Sequence, residues 1–522
     1  MAPGAATGRS LILGDPVIAL GSTTLIPDGA LIVEGSTIVD AGPRENLEQR
    51  GPFDRVLGSA SHFVMPGFIN CHYHSELAIG PGLYQFIFER ANVFMQGAVG
   101  DVEEEDLYTG VLWGLVNAIR GGQTSTVDMY YGRPGMAEFG APSALRAYED
   151  AGMRTAFGLV SRDENLYVHE PNEAFLARLP ADLADEIRRS PMGYAWPVDD
   201  VMATFGRLHD DWHGRDDRIR IVTAPDWTPA CSDDLYRRAR READERDTGM
   251  ITHALETRAE MMFNLEHHGK PALRRLADLG VLGPDTVLEH FVWVTDEELA
   301  IFADSGAVAS NDPGSNLRLS AGVCRVRDIM DTGGRIAFGT DGISFSDRED
   351  FFQELRLACY LQRTPTVFER QRLESEAVLR AAAENGARAL GMEDRLGSLE
   401  PGRHADLLIV AKDRIMFPPG RFDAEPFLDV VLDRTDAGDI DTVMVHGRVL
   451  MEGGRVTIVD EDAVKERFAE AVTKRMYRFP DHVQRWAELG RLVEPYVIDF
   501  YQRWYDTPVE PAYLYNPRTP PS

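Results

Sequence analysis

Between Ser10 and Val64 the apolar positions come in short runs, SLILG, PVIALG, TTLIPDGALIVEGSTIVDAG and HFVMPGF, punctuated by Gly, Asp and Pro. Such residues turn a chain between antiparallel strands, so this stretch predicts a small β unit. From Gly67 to about Leu396 the texture changes. Strand candidates GFINCH, QTSTVDMY, RTAFGLV, IRIVTAP, GMITHAL, TVLEHFV, AVASND and RIAFGTD alternate with longer helical stretches, which signals βα units on a parallel sheet. Eight units close a (β/α)8 TIM-like barrel whose reactive groups lie at the C-terminal strand ends. After RLGSLEPGRHADLLIVAKD the β texture returns through DTVMVHGRVLMEGGRV. Neither β segment alone makes a good core, so the second is expected to complete the sheet begun by the first. The fold class is therefore α/β, with residues 66–396 as the barrel and 1–65 and 397–459 as a composite β-sandwich. Residues 460–522 form a helical extension whose aromatic and leucine positions recur at helical spacing, predicting packing on the barrel or on another subunit.

Composition narrows the partners. Among 522 residues, 54 Lys and Arg face 84 Asp and Glu, a net charge of −30 that repels nucleic acid and anionic membrane surfaces. The apolar stretch within the first twenty residues is broken by Gly14, Asp15 and Pro16, too interrupted for a signal peptide or membrane span. A cytoplasmic protein is expected. Cys71, Cys231, Cys324 and Cys359 are scattered without a Cys-x-x-Cys pair, against a disulfide framework or a cysteine zinc knuckle. No Walker loop or Gly-x-Gly-x-x-Gly follows a strand, so the expected partners are a small-molecule substrate and further copies of the chain in a homo-oligomer.

The stretch VMPGFINCHYHSEL raises the chemistry. His72 and His74 stand two apart at the end of the first barrel strand, so both would project to one face at the barrel mouth. His253 ends strand five, with Glu256 three residues on; His290 ends strand six; Asp341 ends strand eight. Singly, an inward histidine is more often a hydrogen-bonded core residue, and an aspartate can simply cap a helix. Together, three imidazoles and a carboxylate with one open position make a catalytic site for zinc or a similar divalent ion, which lowers the pKa of a water toward neutrality. Glu256 is placed to take that proton and pass it to a leaving nitrogen. His290 would be a fifth ligand or a neutral hydrogen-bond partner, and the second keeps the position open.

These residues resemble the amidohydrolase superfamily, in its branch of cytosine, guanine and adenosylhomocysteine deaminases and triazine hydrolases. VMPGFINCHYH is similar to that branch's Pro-Gly-x-x-Asn/Asp-x-His-x-His segment, HALET to its His-x-x-Glu, EHFVWVTDEEL to its strand-six histidine and FGTDG to its final aspartate. LGSLEPGRHADLLIV resembles the return into the small sandwich. The resemblance implies one divalent metal, zinc first with iron or cobalt as alternatives, held by His72, His74, His253 and Asp341. It further implies Glu256 and His290 as proton-handling residues, with Asp341 also able to accept a proton. Strand four, IRIVTAPDW, offers no lysine to bridge a second metal.

One departure stands out. Where many relatives read His-Asn-Pro-x-Ser-Asn at strand seven, this chain has Asn311 and Asp312 in NDPGSN, with Asn316 ending the segment. Asp312 is either a substrate contact or a turn residue before Pro313. Tyr84, Phe86 and Phe88 after the first ligands, and Asp226 and Trp227 at strand four, would wall the pocket or simply pack. The function expected is metal-dependent cleavage of a non-peptide C–N bond, by hydrolytic deamination of an aromatic or N-heterocyclic compound. The alternatives are an amide, urea or carbamate hydrolase, a chlorohydrolase, and more remotely an inactive scaffold.

Overall fold

The computed structural model describes residues 8–79, 102–132, 139–189, 196–346, 348–363, 373–422, 425–478 and 480–505. Its centre is a sheet of eight parallel strands: β1 (Phe68–Tyr73), β2 (Gln123–Tyr130), β3 (Arg154–Ser161), β4 (Ile219–Pro225), β5 (Met250–Ala254), β6 (Thr286–His290), β7 (Val308–Asn311) and β8 (Arg335–Phe338). All eight expected strands are present, neighbouring one another in chain order. Most are buried along their whole length, as a sheet jacketed by helices requires. The interior is filled from every strand, by Ile69 and Cys71, Val127 and Met129, Ala156, Val222 and Ala224, Ile251, Val287, Val308 and Ala337. β8 meets β1 through Asp341 N–H donating to His72 O at 3.0 Å, and through Asn70, whose side chain binds Thr340 N and Oγ1 at 3.1 and 2.8 Å. The ring closes directly beneath the first histidine pair.

Both ends of the chain build the second unit. His62–Pro66 pairs antiparallel with Leu407–Ala411 at the middle of a seven-stranded sheet, and a four-stranded sheet of N-terminal strands lies beside it. Ile12, Leu31, Val33, Val64, Leu407 and Ile409 share one core, confirming that the late β segment completes what the early one begins. At the barrel base Arg154, 0% exposed, donates through Nε to Asp406 Oδ2 at 2.6 Å and through Nη2 to Oδ1 at 3.0 Å. The helix Pro480–Tyr505 lays Leu489, Val493, Val497, Phe500, Tyr501 and Trp504 on Tyr167, Val168 and Phe175 after β3 and on Phe263 after β5. Among the described residues no helix is long and apolar enough to cross a membrane.

Candidate metal centre

The first histidine pair owes its direction to a bulge. β1 pairs with β2 through Asn70 and Thr126, then next through Tyr73 and Asp128, so β1 carries an extra residue. Such an insertion re-aims side chains. Cys71 still faces the barrel interior with Ile69, while Tyr73 packs on the helical layer. Simple alternation from His72 points Cys71 away from the ligands; the bulge overturns this, and Cys71 instead fills the barrel below them. His74 donates from Nδ1 to Met129 O at 2.6 Å, which leaves Nε2 for the site.

β5 and β4 fix the third imidazole. His253 Nδ1 lies 3.0 Å from Asp226 O and 3.3 Å from Asp226 Oδ1, so its Nε2 is also left facing inward. Tyr131 donates its hydroxyl to Asp226 Oδ1 at 2.7 Å, and Arg162 lies 3.6 Å from Oδ2. Burial alone would raise this carboxyl, but His253, Arg162 and Tyr131 hold it below its ordinary range. Carboxylates behind ligand histidines set tautomer and ring orientation.

The remaining groups sit on strained backbone. Leu255, His290, Phe291 and Asp341 have φ of 58°, 71°, 51° and 62°, the left-handed region that side chains avoid and that collects at functional sites. Asp341 takes a 2.5 Å hydrogen bond from Ser315 Oγ on Oδ2, which leaves Oδ1 at 3.2 Å from His72 Nε2 and 3.4 Å from His74 Nε2. Burial works against its charge, yet the neighbouring histidines, His72 foremost, hold it far below the usual carboxylate range. Burial and His72 push His74 down to about 3, and depress His290 strongly, so both are neutral imidazoles. His290 Nδ1 donates to Asn316 Oδ1 at 3.1 Å, and its Nε2 is 3.8 Å from Glu256 Oε2.

A cation fits what these atoms lack. The ligand atoms of His72, His74 and His253 lie within 4.8 Å of one another, and His253 Nε2 is 3.3 Å from His74 Nε2. Both ring nitrogens of His72 and Oδ1 of Asp341 are buried without a hydrogen-bond partner. Bare lone pairs converging in a buried space cost free energy unless a cation shares them.

The structure thus brings His72, His74, His253, Asp341, Glu256 and His290 to one place at the barrel mouth, all of them buried. The strand-seven group is buried beside it and bonded to His290. Asp312, 0% exposed, accepts from His290 N at 3.2 Å and Ser310 Oγ at 2.9 Å, and burial raises it to about 7. Asn311 Oδ1 accepts from Asn316 Nδ2 at 3.4 Å, so the two asparagines form a chain ending on His290. Trp227 is 5% exposed, paired in the strand ladder with His253 and set edge-on to His169 at 4.7 Å between centroids. Tyr84, Phe86 and Phe88 lie outside the described residues. Sequence reading missed Glu289 and Ser315. Counting alternate positions from Val287, an interior residue, marks Glu289 as inward; Ser315 has no such signal, because only the packing of the 313–318 turn against β8 brings it to Asp341.

Known proteins share this fold and family. Residues 63–450 match the model of the Amidohydrolase family. A 5'-deoxyadenosine deaminase of Methanothermobacter thermautotrophicus is 29% identical over 475 residues, covering 89% of this chain and 98% of that protein. Among solved structures, an adenosine deaminase from Xanthomonas campestris with bound zinc is 23% identical with a TM-score of 0.74, covering 90% of this chain and 99% of that one. The atrazine chlorohydrolase TrzN from Arthrobacter aurescens TC1, complexed with zinc, is 23% identical with a TM-score of 0.76, covering 89% and 100%.

Proposed function

The chain belongs to the Amidohydrolase family, which it matches over residues 63–450, and on that premise we propose that it is a metal-dependent hydrolase that deaminates an amino-substituted N-heterocycle. Water replaces the amino group, giving a lactam-type product and ammonia. One observation carries the reading: the inward nitrogens of His72, His74 and His253 and the bare Oδ1 of Asp341 share one buried space. These four residues would hold one divalent ion per chain, zinc first and iron or cobalt next. Such an ion supplies Lewis acidity, making a water acidic enough to lose a proton near neutral pH.

The rest falls to the chain's own groups. With its Nδ1–H on Asn316, His290 presents Nε2 as an acceptor, 3.8 Å from Glu256 Oε2. Glu256 takes a proton from the water and delivers it to the departing nitrogen, while His290 accepts from the substrate side. Glu256 is held for this by the Glu260 carboxylate, which accepts its backbone N–H at 2.9 Å. Adenine nucleosides lead the candidate substrates because of the deoxyadenosine deaminase relative.

The test incubates the metal-loaded protein with a panel of aminopurines, aminotriazines, amides, ureas and chlorotriazines. The expected result is ammonia in equal amount with a deaminated heterocycle, and a loss of about 10²–10⁴-fold in kcat for Glu256→Gln. Amine with carboxylate or carbon dioxide would move the assignment to amide or urea hydrolysis, and halide release to dechlorination. No turnover of any member would overturn it.

A further inference from the structure

Glu289 lies on β6, two residues after the interior Val287, and strand alternation turns it into the barrel. Its side chain is fully enclosed. Oε2 stands 3.1 Å from His72 Nδ1 and 3.5 Å from His253 Nε2, and neither carboxylate oxygen has a hydrogen-bond partner. No Lys or Arg is paired with it among the described residues. The N–H nearest to it is that of His72 Nδ1, since Nε2 of that ring faces Asp341, and it does not close a hydrogen bond. A buried carboxylate with so little support is costly, and a cation close by relieves it.

The contact to His253 indicates where. Because His253 Nδ1 is occupied by Asp226, Nε2 is the nitrogen directed at the metal position, and Glu289 Oε2 approaches that nitrogen. Two acceptor atoms 3.5 Å apart repel unless a cation lies between them. Donors about 2.0–2.2 Å from a common ion stand roughly 3–3.8 Å from one another. The other pairs in the centre fall in that span: 3.2 Å for His72 with Asp341, 3.4 Å for His74 with Asp341 and 3.3 Å for His253 with His74. The 3.5 Å pair continues the same series.

We propose that Glu289 is a further protein ligand of this centre, making its donor set three imidazoles and two carboxylates. The inference rests on the proposed metal centre of His72, His74, His253 and Asp341. A second carboxylate balances the charge of a divalent ion inside the barrel and fills a place that a four-coordinate site would lack. The centre then favours ions that accept five or six donors. The extra anion also makes the ion a weaker Lewis acid, so the acidic limb of the pH–rate profile moves upward relative to a variant without it.

The experiment uses the full chain, stripped with a chelator and reloaded with cobalt(II), as wild type, Glu289→Gln and Glu289→Asp. Three readouts are taken: the visible cobalt spectrum, the dissociation constant by competition with a chelating dye, and heat stability with and without metal. Wild type is expected to show the weak absorption of five or six donors. Both variants are expected to show stronger absorption, from fewer donors, and at least about 10–100-fold weaker binding, the loss that even an outer partner of a metal site causes. Without metal, Glu289→Gln is expected to be more heat-stable than wild type, since a buried unpaired charge is gone; with metal, the order reverses. A wild-type spectrum of the intense four-coordinate kind overturns the proposal even if neither variant folds. Unchanged affinity and spectrum in the variants overturn it too, while leaving the four-residue centre standing. A wild type that takes up no cobalt, zinc or iron overturns both.

Discussion

At the scale of the residue, the site depends on which nitrogen of each histidine is left bare, and that is settled by groups behind the ring. Met129 O takes Nδ1 of His74, Asp226 takes Nδ1 of His253, and Asn316 takes Nδ1 of His290. Asp226→Asn keeps the backbone carbonyl acceptor but removes the carboxylate that Tyr131 and Arg162 hold in place. Metal affinity is therefore expected to fall toward the lower end of the range for such partners, about 10-fold, measured by chelator competition. Equal affinity in the variant would mean that the carbonyl alone orients His253.

At the scale of the element, strand ends rather than strand bodies carry the chemistry, and each is bent to do so. The bulge in β1 turns His72 inward, and left-handed residues at 255, 290, 291 and 341 end the runs of β5, β6 and β8. Gly339, between β8 and Asp341, leaves room for this: a Cβ there would sit 2.8 Å from His72 N and closer still to Asp312. Neither neighbour can withdraw, since one is backbone and the other holds His290. Gly339→Ala is thus expected to displace His72 and Asp341 together, lowering metal content per chain and melting temperature at once, with overpacking costing about 1–3 kcal/mol. Elemental analysis beside thermal unfolding separates this from simple destabilisation, in which the folded fraction keeps its full complement of metal.

At the scale of the whole molecule, the barrel is fastened at its base by the ion pair of Arg154 with Asp406, while its mouth does the chemistry. Arg154→Met leaves Asp406 buried and unpaired, an expected loss of about 3–5 kcal/mol that a second change, Asp406→Leu, should largely restore. Burial alone would raise the Asp406 carboxyl, but Arg154 holds it below its ordinary value. A depressed folded-state pKa contributes stability above the unfolded-state pKa and loses it as pH falls through the folded one. The pair's contribution should therefore be complete at neutral pH and disappear only below the ordinary carboxylate range, as urea titrations from pH 7 to pH 2 would reveal. The order of eight βα units, the return of the chain to its first sheet, and the residues His72, His74, His253, Glu256, His290 and Asp341 were legible in the sequence, because period and strand-end position are local properties. Cys71, Asp312 and Ser315 were not. Their directions depend on the bulge in β1 and on where Asp312 and the helix 313–318 after it sit against His290 and Asp341. Local sequence determined which residues reach the barrel mouth; only tertiary packing decided which lone pairs meet there, because contacts between strands distant in the chain leave no periodic trace along it.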